Sequence, residues 1–411
     1  MVHIILGAAL AVLLAGGVSV SSKTTRTRKV ENRKAAAEAR VAVRFEVRFP
    51  AVSSPDTIYL SGNLKEAGAW RPDGMALDRN GHDLAVGVAR LPAGSVLEYK
   101  ITRGSWSTVE KDSAYEDIPN RLFVVPAASE HGRDGVVVRA DVAAWADAAP
   151  RPASTLTGDI RFHERFGSRH LGNERTIAVY LPPGYETSKA RYPVLYVHDG
   201  QNAFDAHSSV IGVEWGIDER CQELIESGEI PPVIVVAVWN SDDRMSEYTT
   251  AVDTGHGQGG RGRLYEKFLI EEVKPYIDRV YRTKRGREHT AVMGSSLGGL
   301  LSLRLAWERS DVFSRAGVVS PALWWADGEI FRRIERSQRP PKISRLWIDM
   351  GTAEGGHPEF NVDTLRRLGS LLEKKGYARG RDFMEFVAEG ADHSERAWSA
   401  RVGDILKYLF N

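Results

Sequence analysis

The sequence feature that most constrains the fold is Gly294-Ser295-Ser296-Leu297-Gly298, a G-x-S-x-G motif late in the 411-residue chain. An apolar run at 290–293 precedes the motif, and a leucine-rich run that starts at Leu300 follows it. Strand, tight turn and helix in this order are typical of a nucleophile elbow, where glycines let the backbone turn sharply and expose the serine hydroxyl. The motif therefore predicts Ser296 as a nucleophile at the edge of a sheet.

A serine nucleophile needs two partners, because a base must take its proton and a third group must fix the tautomer of that base. In α/β-hydrolases the acid and then the base follow the serine along the chain. Here the apolar run 345–350 leads into a loop with Glu354, and the run 383–387 leads into a loop with His393. Parallel strands gather their carboxyl ends at one edge, so we expect Glu354, His393 and Ser296 to converge there.

The sequence leaves other interpretations of His393 and Glu354 open. His393 could be a surface loop histidine, and Glu354 a solvated loop carboxylate. Asp349 and Asp392 are alternative acids. A side chain in mid-strand such as Asp349 points to a face of the sheet, however, and Asp392 directly precedes the histidine that it would have to orient.

An oxyanion hole needs two N–H donors. The backbone N–H of Leu297, at the start of the predicted helix, is the expected first donor. The second should come from the loop after the apolar strand 193–197, where Gly200 permits an unusual backbone angle and the N–H of Gln201 could face the substrate. His198 in this loop precedes the serine, so we expect it to order the loop instead of acting as the base.

These motifs occur together with others along the C-terminal part of the chain. They are the segment 196–205, Asn240 with Arg244 and 247–249, 320–325, 351–354 and 390–395 with Trp398. From about Asp159 to Asn411 the chain resembles the "Putative esterase" family of α/β-hydrolases, which includes enterochelin-esterase-like enzymes, esterase D and feruloyl and acetyl esterases. The resemblance implies a mostly parallel sheet flanked by helices, with Ser296 as nucleophile, His393 as base, Glu354 as acid, and Leu297 and Gln201 as oxyanion donors. No cofactor is expected.

Residues 41–144 show a different pattern. Val43, Phe45 and Val47 alternate with charged residues, and further short apolar runs are separated by Gly, Pro, Asn and Asp clusters. Such spacing predicts a small all-β, immunoglobulin-like antiparallel sandwich.

This stretch also resembles a starch-binding, glycogen-binding-type domain. The matching segments are 60–63, 68–70, 98–100 and 115–121. The resemblance implies that Trp70 and Tyr115 stack on sugar rings while Lys100 and Asn120 bind hydroxyl groups. Tryptophan is commoner than tyrosine at the position of Tyr115, and Trp70 could instead be a core aromatic residue. The resemblance implies that a glucan is the partner of this domain.

Composition restricts the remaining possibilities. Hydrophobic residues make up 42% and charged residues 27%, as in a globular protein, and the net charge of +1 gives no sign of a nucleic-acid partner. The single cysteine, Cys221, excludes a disulfide framework, and no ligand spacing predicts a metal site.

The N-terminal residues have a pattern that is typical of a targeting segment. Residues 1–22 contain an apolar run from Ile4 to Val20, and basic residues follow in the polar linker 23–40. We expect a secretory signal cleaved after Ser22 and an extracytoplasmic (periplasmic or secreted) protein; a membrane anchor is the alternative because the charges follow the run. A second linker is predicted at 145–158, before the hydrolase domain at 159–411.

The sequence thus predicts a serine carboxylic ester hydrolase for an acylated carbohydrate or a related small ester. Hydrolysis of a siderophore such as enterochelin and acyl transfer are alternatives within the enzyme class. A glycan-binding protein with a decayed hydrolase domain is the alternative of another class.

Overall fold

The computed structural model describes residues 39–50, 56–127, 136–148, 152–338, 341–355 and 358–411. The predicted N-terminal signal or anchor lies outside the described residues, as do most of the basic linker and part of the 145–158 linker. In the ranges that the structure does describe, no helix has the length and apolar character needed to cross a membrane.

The N-terminal domain is built from strands. They are β1 (Arg40–Arg48), β2 (Ile58–Gly62), β3 (Met75–Arg79), β4 (Leu84–Pro92), β5 (Val96–Thr102), β6 (Glu110–Lys111), β7 (Arg121–Val124), β8 (Val136–Asp141) and β9 (Ala144–Trp145). Seven of them form a ladder in the order β7-β5-β2-β3-β4-β1-β8, and β6 pairs with β9. All of these pairings are antiparallel except that of β1 with β8.

This ladder folds over on itself. Phe45 of β1 and Tyr99 of β5 are separated by three strands in the ladder, yet their rings lie 5.9 Å apart, edge to face. The inward residues of both strands share one buried cluster with Leu60 and Leu97. The predicted sandwich is confirmed; β3 and the short pair β6–β9 were not identified from the sequence.

The C-terminal domain has a central eight-stranded sheet. Its strands are β10 (Asp159–Gly167), β11 (Glu174–Leu181), β12 (Val194–His198), β13 (Ile234–Val238), β16 (Thr290–Ser295), β17 (Arg315–Val319), β18 (Arg345–Gly351) and β19 (Phe383–Ala388), in the order β10-β11-β13-β12-β16-β17-β18-β19. A small separate hairpin pairs β14 (Val252–Asp253) with β15 (Gln258–Gly259). Within the eight-stranded sheet, the strands β13, β12, β16, β17, β18 and β19 are neighbours in this order, and all of their pairings are parallel, as predicted.

Helices cover both faces of this sheet. They are α1 (Ile217–Glu226), α2 (Arg244–Tyr248), α3 (Gly262–Lys267), α4 (Lys274–Val280), α5 (Leu297–Glu308), α6 (Trp325–Arg336), α7 (Pro358–Lys374), α8 (Glu395–Ser399) and α9 (Val402–Phe410), with a π-helical segment, Phe268–Val273, between α3 and α4. Along β12, Val194 and Tyr196 enter one core cluster, whereas Leu195 and Val197 enter another. Because both faces are buried, the strand reads as a continuous apolar run in the sequence.

Candidate active site

Ser296 occupies the sharp turn between β16 and α5. Its backbone angles, φ 55° and ψ −121°, are unusual for a residue with a side chain. Gly294 is required by close approach, since a Cβ atom added to it would lie only 2.8 Å from the backbone of Gly298. The neighbouring strand holds the turn: Ser296 N donates to Val319 O at 3.0 Å, and Ala322 N donates to Ser296 O at 3.0 Å.

Glu354 and His393 come together from two different loops. Glu354 follows β18 and His393 follows β19, at the same edge of the sheet as Ser296. His393 Nδ1 donates to Glu354 Oε2 at 2.8 Å. Glu354 is buried, whereas the His393 side chain is 37% exposed, so the imidazole can reach a bound substrate.

Hydrogen bonds also fix the second carboxylate oxygen of Glu354, Oε1. Ser320 Oγ donates to Glu354 Oε1 at 2.5 Å, and Gly351 N donates to the same oxygen at 2.7 Å. Ser320 Oγ in turn accepts from Trp398 Nε1 at 3.0 Å and from an Arg401 guanidinium nitrogen at 2.7 Å. The carboxylate is therefore fixed from both sides before any substrate binds.

The two alternative acids have other partners. Asp349 is fully buried and accepts from Ser320 N at 2.9 Å, Trp347 Nε1 at 2.6 Å and Arg401 at 2.9 Å. Asp392 accepts from Ser394 Oγ at 2.5 Å. Neither makes a hydrogen bond with His393 in the described part of the chain.

Electrostatics polarise the Glu354–His393 pair. Burial by itself would raise the pKa of Glu354, but His393, Ser320 and the backbone of Gly351 outweigh burial and lower it. Burial would lower the pKa of His393, but Glu354 outweighs that effect and raises it. The carboxylate thus stays charged and strengthens the imidazole as a base.

Ser296 and His393 are brought to the same edge without a direct bond. Among the described residues, Ser296 Oγ makes no hydrogen bond to His393. Ser295 and Val319 are paired in adjacent strands, which places Ser296 beside Ser320, the residue that binds Glu354. Catalytic hydrogen bonds are often longer in a free enzyme and shorten when the substrate binds.

The loop after β12 has the predicted position but not the predicted backbone. The positive φ of 56° belongs to Asp199, not to Gly200. Gly200 is needed instead because a Cβ atom there would lie 2.4 Å from the backbone of Ala237. Gln201 is buried in the short 3₁₀-helix Gly200–Asn202, and its Oε1 accepts from Asn240 N at 3.2 Å.

Asp199 fixes this loop through charged partners. Its carboxylate accepts two hydrogen bonds from Arg244, at 2.7 and 2.8 Å, and one from Asn240 Nδ2 at 2.7 Å. His198 is buried, and its Nδ1 lies 3.1 Å from the Tyr265 hydroxyl. Burial lowers the pKa of His198 to about 3, so it remains neutral and serves the packing of the loop.

The sandwich packs against the loops around this site. Arg396, near His393, contacts Glu116 of the sandwich at 2.7 Å. The carboxylate of Glu98 reaches Gly355, next to Glu354, where an added Cβ would be 3.2 Å away. Contacts also join Gln258 Nε2 to Ala69 O at 3.2 Å and Lys111 Nζ to Ile211 O at 2.8 Å.

The expected sugar-binding residues have different environments. Trp70 is half-buried with φ 59° and directly follows Ala69, the residue contacted by Gln258. Tyr115 is exposed with φ 63°, and Asn120 is half-buried. The structure does not support direct sugar binding by Lys100, because its ammonium group is buried, donates to Ile118 O and lies 3.3 Å from Asp117 Oδ1.

Sequence reasoning did not assign roles to several residues around the site. Ser320, Arg401 and Trp398 surround the acid, and the rings of Trp398 and His393 meet edge to face at 5.0 Å. The glycine-rich stretch around His256 is ordered by pairing and by ring contacts. It forms the β14–β15 hairpin, with His256 Nδ1 2.7 Å from Asp253 Oδ1 and the His256 ring stacked on Trp325.

Two family models match the chain. The model described as "Putative esterase" matches residues 168–409, which is more than half of the chain, and the model described as "Starch binding domain" matches residues 40–134.

Individual relatives match the C-terminal domain. The Bacillus subtilis protein YbbA is 21% identical over 252 residues, covering 59% of this chain and 95% of YbbA. An endo-1,4-beta-xylanase/feruloyl esterase from Xylanibacter ruminicola is 27% identical over 252 residues, covering 60% of this chain and 30% of that enzyme. The solved structure of an IroE-like serine hydrolase from Shewanella oneidensis has a TM-score of 0.52 and 22% identity, covering 61% of this chain and 80% of that one.

Proposed function

The chain belongs to the "Putative esterase" family, and on this premise we propose that it hydrolyses carboxylic esters with Ser296, His393 and Glu354 as its triad. Family membership supports ester hydrolysis as the class of reaction. The observation that carries the proposed triad is the 2.8 Å hydrogen bond between His393 Nδ1 and Glu354 Oε2, at the edge of the sheet where the turn presents Ser296.

The reaction proceeds in two steps. Ser296 Oγ attacks the ester carbonyl carbon while His393 Nε2 takes the serine proton, and the N–H groups of Leu297 and Gln201 bind the oxyanion. His393 then gives the proton to the leaving alcohol, which leaves an acyl group on Ser296. Water, deprotonated by His393, then attacks the carbonyl carbon of this acyl-enzyme; the bond to Ser296 Oγ breaks, His393 returns the proton to Oγ, and the acid is released. Glu354 keeps Nδ1 protonated throughout, so that Nε2 is free to accept the proton.

The proposed substrate is an acylated carbohydrate. The match to a starch-binding domain supports this class, and so does the position of that domain. Gln258 and Arg396, on loops of the hydrolase domain, contact Ala69 and Glu116 of the sandwich. A glucan held by Trp70, Tyr115 and Asn120 would therefore lie close to the hydrolase domain, which favours an ester carried by the bound polymer.

The triad can be tested by covalent labelling. A fluorophosphonate should add one adduct to the wild-type protein, located on Ser296 by peptide mass spectrometry, and no adduct to Ser296→Ala. A panel of acetyl, feruloyl and longer acyl esters, with and without a sugar alcohol, then identifies the acyl group. Faster turnover of a siderophore trilactone, or transfer of the acyl group to an added sugar in place of water, would replace the proposed substrate or reaction.

Failure of both labelling and turnover would favour the glycan-binding alternative. An extracytoplasmic location belongs to the same proposal, since a polymeric glucan supplied from outside is too large to enter a cell intact. Sequencing the N-terminus of the protein exported by its host checks cleavage after Ser22.

A further inference from the structure

Three acidic residues meet where the linker reaches the first helix of the hydrolase domain. Glu214 precedes α1, and Asp218 and Glu219 lie in its first turn. One oxygen from each residue lies within 4.8 Å of the oxygens of the other two. None of the three contacts Ser296, His393 or Glu354 in the described ranges, so the cluster is separate from the candidate active site.

The carboxylate of Asp218 is buried, those of Glu214 and Glu219 are partly buried, and one oxygen of each is shielded from solvent without a hydrogen-bond donor within the described parts of the chain. Asp218 is 0% exposed, and its Oδ1 atom has no hydrogen-bond partner among the described residues. The same holds for Oε2 of Glu214 and Oε2 of Glu219, which are also shielded from solvent. A buried carboxylate oxygen without a donor is costly and calls for a ligand.

The remaining oxygen of each carboxylate accepts a hydrogen bond from the linker. Thr157 N donates to Asp218 Oδ2 at 2.7 Å, Thr157 Oγ1 donates to Glu219 Oε1 at 3.2 Å, and Thr155 Oγ1 donates to Glu214 Oε1. These bonds fix the orientation of all three side chains. Each carboxylate therefore keeps one oxygen for another partner.

No positive side chain in the described ranges balances the charge of this cluster. None of the three carboxylates forms an ion pair with a Lys, Arg or His in the part of the chain that the structure describes. The charged groups that act on Glu214 are Glu219 and Asp205, both acidic. Three carboxylates this close together repel one another unless a proton or a cation lies between them.

We propose that Glu214, Asp218 and Glu219 form a calcium site. Hard carboxylate oxygens without sulfur or imidazole ligands are the donor set that Ca²⁺ prefers. With bonds of about 2.4 Å, two oxygens on opposite sides of a Ca²⁺ ion are about 4.8 Å apart, so oxygens this close together can share one ion. The Thr155 and Thr157 hydroxyl groups and water can complete the shell.

The ion would stabilise the structure by cross-linking segments that are far apart in the sequence. It would join the linker at 155–157 to the start of α1 and to the loop before it. That loop also carries Ile211, whose carbonyl binds Lys111 of the sandwich. Calcium would therefore stabilise the segment where the two domains meet, without taking part in the chemistry.

No metal site could be predicted from the sequence, because these three residues lack a familiar ligand spacing. Glu214 lies before the helix, and the donors from Thr155 and Thr157 are about 60 positions earlier in the chain. Only the fold brings them together.

The test is calcium-dependent stability of the full chain. After dialysis against EDTA, adding Ca²⁺ at about a hundred times its Kd should raise the Tm by roughly 5 °C. Isothermal titration calorimetry should give one site per chain, and Tb³⁺ in place of Ca²⁺ should show luminescence sensitised by Trp215, the neighbour of Glu214.

Asp218→Asn and Glu219→Gln should each weaken Ca²⁺ binding at least tenfold, so the conclusion does not depend on one variant folding. The matched control is Glu223→Gln in the same helix, an exposed carboxylate paired with Arg220, which should bind Ca²⁺ like the wild type. No calorimetric binding at millimolar Ca²⁺ together with an unchanged Tm would overturn the proposal and leave a carboxyl cluster that shares protons. An unaltered Ca²⁺ response in both cluster variants would overturn it as well.

Discussion

Ser320 Oγ donates to Glu354 Oε1 at 2.5 Å, while His393 occupies the other oxygen of the same carboxylate. Ser320 is itself fixed by Arg401 and Trp398, and Arg401 also binds Asp349. The acid is thus the centre of a buried hydrogen-bonded network. Such a network holds the carboxylate in one orientation, and the loss of a member leaves its buried partners unpaired, which is costly.

Ser320→Ala should lower kcat by about 10- to 100-fold with little change in KM. The variant removes a donor worth about 1–3 kcal/mol to a buried carboxylate and leaves Ser296 and His393 in place. Because the lost bond also helps to keep Glu354 charged, the pH at which activity rises should change as well. The matched control is Ser314→Ala, because Ser314 is a buried serine that directly precedes β17, whereas Ser320 directly follows it. This variant should keep the wild-type pH profile. An unchanged kcat in Ser320→Ala would contradict this role.

Ser296→Ala should lower kcat for a nitrophenyl ester by at least about a thousandfold. Only substrate binding and the oxyanion hole would then contribute to the rate. Steady-state kinetics measure the loss, and circular dichroism verifies that the variant is folded. Turnover within tenfold of the wild type would rule out Ser296 as the nucleophile.

The pH dependence follows from His393. The base works in its neutral form, and its pKa is raised above the ordinary value of 6.5 because Glu354 outweighs burial. We therefore expect kcat/KM to increase with pH through a value above 6.5 and then to level off. In Glu354→Gln, which lacks the negative charge, the increase should move to lower pH. Rates measured from about pH 5 to about pH 9 test this, and a maximum below about pH 5 would indicate paired carboxylates instead.

Trp70→Ala should reduce retention of the protein in a soluble-starch affinity gel without changing hydrolysis of a small nitrophenyl ester. Stacking on a sugar ring contributes on the order of 1 kcal/mol, enough to matter in a weak polymer-binding site. Trp106→Ala removes another half-buried tryptophan of the same domain and shows whether that residue shares the stacking. Absence of retention for the wild type with every glucan tested would make the sandwich a docking module only.

The sequence was informative where a local pattern imposes a local structure. Apolar alternation predicted β1, and the continuous apolar runs predicted the buried strands β12 and β16. The glycine-rich motif predicted the turn at Ser296, since few other residues tolerate the approach of Gly294 to Gly298. The order of Glu354 and His393 after the serine reflects the order of parallel strands in the chain, so their meeting could be anticipated.

The tertiary structure decided what depends on residues far apart in sequence. The positive φ belongs to Asp199, whose carboxylate is held by Arg244 and Asn240, and Gly200 is required because the backbone of β13 lies close to it. Lys100 turned inward because Ile118 and Asp117 accept its hydrogen bonds. Burial and pairing are properties of the packed chain, so neither the network around Glu354 nor the carboxylate cluster at Asp218 could be found from spacing alone.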